Sequence, residues 1–249
     1  MKINFLSIRK KIPEKVKRPI RWIYHKWSIK IDNETIDFLK KYYNLSEKNI
    51  FRLLNNAGQL SADFWFCSNP KTDEQIKNFY EDNPFYALNL ILWHGTSYQR
   101  NLRNKFTELA KGRVLDYGGA VGDLCYKIFK KGLVVDYADL QGKTFDLAKD
   151  FFKISNVNIK MINLSNDKIV DKYDTIFCID VIEHVPHPQD SLKELIGYLN
   201  PGGQLIITAL ESNVSEQAPM HFEIKFNPEE YLNSLGMQKS KEEFLWIKK

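Results

Sequence analysis

Val114-Leu115-Asp116-Tyr117-Gly118-Gly119-Ala120-Val121-Gly122-Asp123 is the stretch of this 249-residue chain from which its fold can be read. An apolar, β-branched start runs into an acid and then into a glycine-rich turn. Helical spacing follows, so a strand, a turn and a helix come in direct succession. Glycine permits positive φ and lets a ligand approach the backbone closely. A phosphate-binding turn would offer free N–H groups to a dianion. Here Asp116 stands at the mouth of the turn, where a carboxylate repels phosphate and attracts an ammonium group. Gly118, Gly119 and Gly122 are therefore expected to serve a cationic ligand.

From Gly112 onward, short β-branched runs alternate with helical stretches, the pattern of a parallel sheet with crossover helices. Strands are expected near 113–117, 133–138, 157–163, 173–179 and 204–209, and helices near 121–131, 143–153 and 189–200. A helix near 228–235 and two short segments, 237–240 and 243–247, follow; the two segments are close enough to pair as a terminal hairpin. In an open sheet of this kind the ligand sits off the carboxyl ends of the strands, near the point where strand order reverses. Asp139, ending the second strand, is placed to accept both hydroxyls of a ribose, with Leu140 beside it. Asp136 is expected mid-strand or on the opposite side. Asn163 and Leu164, after the third strand, suit an adenine edge and face. Asp180 follows the fourth strand, directly beside the first turn and within reach of the ligand.

Upstream, residues 31–110 read as helices. Ser46 can cap a helix carrying Ile50, Phe51, Leu53 and Leu54 that stops near Gly58. Thr72 and Gln75 form a capping box for the next helix, Asn83-Pro84 interrupts the pattern, and one longer helix then runs from Leu88 towards Leu109. Nine aromatics fall between Ser61 and Arg100, about twice the chain average of 13%. Most suit the core of a small helical cap; Tyr80, Tyr86 and Trp93 are candidates for a substrate wall.

The net charge is +5, yet residues 1–30 carry ten Lys/Arg against one acid, Glu14, which leaves −4 for the remainder. A mildly acidic body does not suit a nucleic-acid partner. Within the leader, Pro19 can open a short helix with Ile20, Ile23, Tyr24 and Trp27 on one face. Two readings stay open for it: peripheral attachment to an anionic membrane surface, or a helix packed on its own domain. It lacks the apolar stretch of a secretory signal, and no run approaches the roughly 20 apolar residues of a membrane span. Cys67, Cys125 and Cys178 show no CxxC pairing, which fits a reducing cytoplasm. His184 and His187, with Asp180 and Glu183, invite a metal reading, but Pro186 and Pro188 break any helix that would align them. No metal is expected.

Four motifs in order resemble the class I S-adenosylmethionine-dependent methyltransferases, in the style of the group with a ubiquinone-methyltransferase-like core. "VLDYGGAVGD" is similar to the family's first motif, "YADL" to its acidic second motif, "YDTIFCIDVIEHVPHP" to the fourth, and "LNPGGQLIIT" to the helix end and fifth strand after it. The resemblance covers roughly 112–249 and implies an α/β, Rossmann-like seven-stranded sheet with a terminal antiparallel hairpin, here preceded by the helical cap. The expected organisation is a basic leader (1–30), a cap and substrate region (31–110) and a cofactor-binding core (111–249). The resemblance also implies S-adenosylmethionine across the strand ends, its amino acid near Asp116 and its ribose on Asp139. Two features depart from the pattern. Ala120 replaces the usual middle glycine, tolerable if it keeps negative φ, and Leu164 to Lys172 is too short for an extra helix.

Methyl transfer from a sulfonium is an in-line displacement, and a proton-bearing acceptor also needs a base. His184 is the best-placed candidate, and His94 and His221 are further ones. The expected activity is methyl transfer to a small or medium organic acceptor, with a lipid, quinone or lipid-linked glycan attractive because of the leader. An RNA methyltransferase and a non-catalytic binding protein of the same fold are the alternatives. A nicotinamide site would require glycines where Ala120 and Asp123 stand.

Overall fold

The structure, a computed structural model, describes residues 29–210, 214–216 and 218–249. The readings made for the basic leader fall outside the described residues, apart from Ile29 and Lys30.

Among the described residues, five helices precede the sheet: α1 (Asn33–Tyr43), α2 (Glu47–Ser68), α3 (Asp73–Asp82), α4 (Tyr86–His94) and α5 (Ser97–Leu109). Local chemistry sets their ends. Asp32 caps α1 by accepting the Thr35 N–H at 2.7 Å, and the Thr72/Gln75 capping box opens α3 as expected. Two expectations need correction. Helix α2 begins after Ser46, whose side chain makes no capping bond, but runs past Gly58 to Ser68. A Cβ at Gly58 would lie 3.0 Å from Asn89 Oδ1, so this glycine lets α4 pack closely instead of ending α2. The single helix expected towards Leu109 is two helices. It breaks where Gly95 lies against Ile29, Lys30 and Ile31 and where Thr96 caps α5 through the Gln99 N–H.

The alternating half follows the expected order: β1 (Val114–Tyr117), α6 (Asp123–Lys130), β2 (Val135–Asp139), α7 (Lys143–Ile154), β3 (Lys160–Asn163) and β4 (Tyr173–Cys178). A 3₁₀ turn (Ile182–His184), α8 (Pro188–Gly197), β5 (Leu199–Ile207), α9 (Pro228–Ser234), β6 (Met237–Lys239) and β7 (Leu245–Lys248) complete it. The strands form one seven-stranded sheet in the order β3-β2-β1-β4-β5-β7-β6. β1 to β5 pair in parallel, while β7 is antiparallel to both β5 and β6. β5 starts at Leu199, before its expected Gln204, and its pairing with β4 shifts register between Tyr173 and Thr175. No helix lies between β3 and β4.

Alternation along the strands feeds two cores. Leu115, Ala138, Ile176 and Leu205 pack on one face with Leu192, Leu195 and Leu232 of α8 and α9. Val114, Val135, Tyr137 and Phe177 pack on the other with Phe106, Leu124, Ile128 and Phe152 of α5, α6 and α7. A third core joins Leu39 of α1, Ile50 and Leu54 of α2, and Leu88 and Ile91 of α4 to Val121 and Leu147 beneath them. That shared core seats the cap on the carboxyl side of β1 and β2. At its edge the end of α3 abuts Gly142, where φ is +128° and a Cβ would lie 2.2 Å from the Glu81 carbonyl oxygen. Gly142→Ala is expected to lower unfolding stability by about 2–4 kcal/mol, the sum of backbone strain and overpacking. Urea denaturation measures it; a loss below about 1 kcal/mol would mean that the cap does not bear on this turn.

Candidate functional site

Strand order reverses between β1 and β4, and a cavity of about 730 Å³ opens at the carboxyl ends there. Its floor includes Asp116, Gly118, Gly119 and Ala120 after β1, Asp139 and Leu140 after β2, Leu164 after β3, and Asp180 after β4. Tyr80, Tyr86 and Trp93 come down from the cap, and Glu183, His184 and His221 close one end. Two expected site residues lie elsewhere. Gly122 does not line the cavity; it begins α6 at φ +78°, where a Cβ would lie 2.5 Å from Phe152 Cζ. Asn163 is corrected as well: its side chain donates to Gln141 Oε1 and accepts from the Ser165 N–H (3.2 and 3.0 Å), so it builds the turn and only Leu164 reaches the wall.

The tips of β1 and β2 are tied together by Asp139. Its Oδ2 accepts the Ala120 N–H at 2.8 Å and its Oδ1 the Leu140 N–H at 2.7 Å. The Tyr137 hydroxyl donates to the Ala120 carbonyl at 2.7 Å. A carboxylate has about four lone-pair sites, so acceptor capacity remains towards the cavity. Burial pushes its carboxyl up to about 6 against the pull of those N–H bonds. Ala120 does not keep negative φ, as tolerance of its methyl was expected to require: it sits at φ +51°. The bonds from its N–H and to its carbonyl hold it in the left-handed region. Gly118 and Gly119 are needed for contact, because a Cβ would lie 2.4 Å from Val181 Cγ2 at the first and 2.6 Å from Tyr137 Cδ2 at the second.

Asp116 is 3% exposed, and its Oδ2 has no hydrogen-bond partner. Burial pushes its carboxyl up to about 7, against the favourable bond from the Cys125 thiol. Beside it stands a cluster absent from the sequence reading. Arg103 of α5 lines the cavity and pairs with Asp123 at 2.8 Å, and Asp123 also lies 2.9 Å from His94 Nδ1. His94 Nε2 faces the Arg103 guanidinium at 2.5 Å, so both ring nitrogens are engaged, and burial and Arg103 push its pKa down. This corrects its candidacy as a base: His94 is a wedge between an acid and a guanidinium.

Asp180 is also bound at several points. Its backbone is at φ +55°, Thr208 donates to Oδ1 at 2.6 Å, and Gln99 and Trp93 donate to Oδ2 at 3.1 and 3.3 Å. It therefore latches α4 and α5 to the end of β4. At the far end, the Tyr80 hydroxyl and His184 Nδ1 are 2.9 Å apart, and the His184 and His221 rings meet edge to face at 4.6 Å. Burial, then His221, pushes the His184 imidazole down to about 3, which makes it a weak base. His187 turns away to Asp73 at 2.7 Å. The His184/His187 pairing weighed as a metal site does not form; Glu183, His184 and His221 instead bring ligand-capable atoms within 4.8 Å of one another.

A family model for the methyltransferase domain matches residues 94–240, more than half of the chain, and the chain belongs to that family. Among curated relatives, a ubiquinone biosynthesis O-methyltransferase of Coxiella burnetii is 28% identical over 174 residues, 68% of this chain and 66% of that protein. Its namesake in Saccharophagus degradans is 26% identical over 137 residues, 53% of this chain and 55% of that protein. The matches thus span between about half and two thirds of those relatives' length. A tRNA U34 carboxymethyltransferase of Nautilia profundicola is 32% identical over 141 residues, 55% of this chain and 44% of that protein. Among solved structures, an O-methyltransferase family protein from Burkholderia thailandensis has a TM-score of 0.49 and 14% identity, covering 70% of this chain and 59% of that one.

Two stability tests follow from these groups. Ala120→Gly should stabilise the chain by about 1 kcal/mol by relieving the left-handed strain, read as a raised urea midpoint; a drop would place the strain elsewhere. Asp116 (about 7) and Glu183 (about 8) keep protons that an unfolded chain has released. Stability should therefore fall as pH rises from about 7.5, clear of the ordinary histidine value, to about 8.5. Glu183→Gln should flatten that slope, and a slope unchanged by it contradicts the assignment.

Proposed function

We propose that the chain transfers a methyl group from S-adenosylmethionine to an oxygen of a small or medium-sized organic acceptor. The observation that carries this reading is the pair of buried acids at adjacent strand tips, Asp116 with a partnerless Oδ2 and Asp139 with spare acceptor capacity, facing one cavity. These residues fit the cofactor: Asp116 would hold the ammonium, Arg103 beside it the carboxylate, Asp139 the ribose hydroxyls, and Leu140 and Leu164 the adenine faces. Bound there, S-adenosylmethionine supplies a methyl group activated by a positively charged sulfur. The protein holds and orients. Tyr80, Tyr86 and Trp93 form apolar walls that exclude water and align the acceptor, and such positioning is worth about 7–11 kcal/mol in effective molarity. At about 730 Å³ the cavity lies within the usual range for ligand sites and has room for both partners.

The finer reading is that the acceptor is carried on a membrane, as a lipid, quinone or lipid-linked glycan. Ten basic residues in 1–30 support it, as do the exposed rings of Trp93 and Tyr98 (42% and 58%) on the cap. No described helix is long and apolar enough to cross a membrane.

Incubation with trideuteromethyl-labelled cofactor and a small-molecule extract should give a labelled product by mass spectrometry; no label in any product contradicts methyl transfer. Asp139→Ala should weaken cofactor binding by about 1.5–3 kcal/mol in calorimetry, and unchanged affinity would displace the ribose anchor. Deleting residues 1–30 should abolish cosedimentation with anionic liposomes while sparing cofactor affinity. A full chain that never binds them sinks the membrane version.

A further inference from the structure

We propose that Glu183 is the group that takes the proton from the acceptor, and that the acceptor is correspondingly an uncharged hydroxyl on a largely apolar body. This assignment rests on the methyl-transfer reading of the cavity. Glu183 is 4% exposed, lines the cavity, and its Oε2 has no hydrogen-bond partner. A buried carboxyl oxygen left without a donor is costly, and a protic ligand in the cavity would satisfy it. The backbone holds the group there. The 3₁₀ turn sits over buried Ile182, and the Glu183 carbonyl accepts the Phe222 N–H at 2.6 Å, which also brings His221 against His184.

Charged and titratable neighbours come from each packed element: Asp180 and Cys178 at the end of β4, His184 beside it, His221 from the 218–222 segment, Tyr80 from α3 and Tyr86 from α4. Burial, then repulsion from Asp180, pushes the Glu183 carboxyl up to about 8, where it can both gain and lose a proton near neutral pH. His184 is a poorer choice because Tyr80 occupies its Nδ1. Tyr80, Tyr86, Val181, Val185 and Met220 surround this end, so an apolar body fits and a charged one does not. Chelation separates this role from a metal site, since Glu183, His184 and His221 bring ligand-capable atoms within 4.8 Å of one another.

In the step, the acceptor O–H bond breaks and its proton passes to Glu183 Oε2. The oxygen's electron pair forms the bond to the methyl carbon. The carbon–sulfur bond breaks with its pair left on sulfur, giving a neutral thioether. Glu183 then returns the one net proton to water.

The test compares the wild-type chain, Glu183→Gln and Glu183→Asp for tritiated methyl transfer from saturating cofactor into a small-molecule extract across pH. Calorimetric cofactor affinity and the infrared band of protonated carboxyls are followed alongside. Wild-type transfer should rise with pH and level off above about 8. Glu183→Gln should lose at least about a hundredfold with cofactor affinity within about twofold, Glu183→Asp should recover part, and the Gln variant should lack one titrating carboxyl band. Three results overturn the assignment: wild-type rate and pH profile in Glu183→Gln, a matching loss of cofactor affinity, or transfer abolished by chelator and restored by Mn²⁺. No transfer by the wild-type chain sinks the methyl-transfer reading itself, and this assignment with it; transfer with an unaffected Gln variant sinks this assignment alone.

Discussion

Burying acids without giving them cations is the constraint around which this molecule is built. Asp116, on β1, has the Cys125 thiol for a hydrogen bond and Arg103 near it but makes no ion pair among the described residues, and Glu183 is enclosed beside Asp180. Such groups cost folding free energy, so the rest of the structure must hold them in place. Asp139 does part of that by binding the N–H groups of Ala120 and Leu140. This fastens the turn after β1 to the end of β2, whose paired register already aligns Tyr117 with Ala138. By contrast Asp123, which also lines the cavity, is compensated by Arg103 and His94, and its carboxyl is held well below the usual range.

Polar attachments to the core help the cap complete the enclosure. Trp93 and Gln99 reach Asp180, Arg103 and His94 reach Asp123, and Ser165 donates to Glu81 at 2.5 Å next to Gly142. Each joins an N-terminal helix to the segment that follows a strand's carboxyl end. The same contacts that position the aromatic walls therefore also fix the loops that carry the acids. Cap and core share a hydrophobic cluster through Val121 and Leu147, so the cavity floor and the aromatic walls are expected to respond together when either is altered.

Much of this was legible in the residues, for a physical reason. The parallel sheet announces itself because strands buried on both faces are short, β-branched and punctuated by glycine turns, and Asp116, Asp139 and Asp180 stand out as charges where only strand tips can accept them. The cap was less legible. Gly58 reads as a stop by local propensity, but tertiary packing against Asn89 uses it mid-helix. The break at Gly95-Thr96 was written in a Thr-x-x-Gln cap that helical periodicity masked. Long-range partners carried no local signal: nothing near His94 reveals that Asp123 and Arg103 will bracket it. Glu183 stood out in the sequence beside His184 and His187 in a metal reading, and the structure then left one of its oxygens without a donor.

The central claim is that Asp116 is largely neutral in the free protein and ionises to meet a cationic cofactor. Calorimetry of S-adenosylmethionine binding near pH 6, in two buffers of different ionisation enthalpy, measures this as proton release. Asp116 at about 7 predicts release approaching one proton per cofactor bound, absent from Asp116→Asn. Binding with no net proton release in the wild-type chain, or the same release from the Asn variant, would contradict the account.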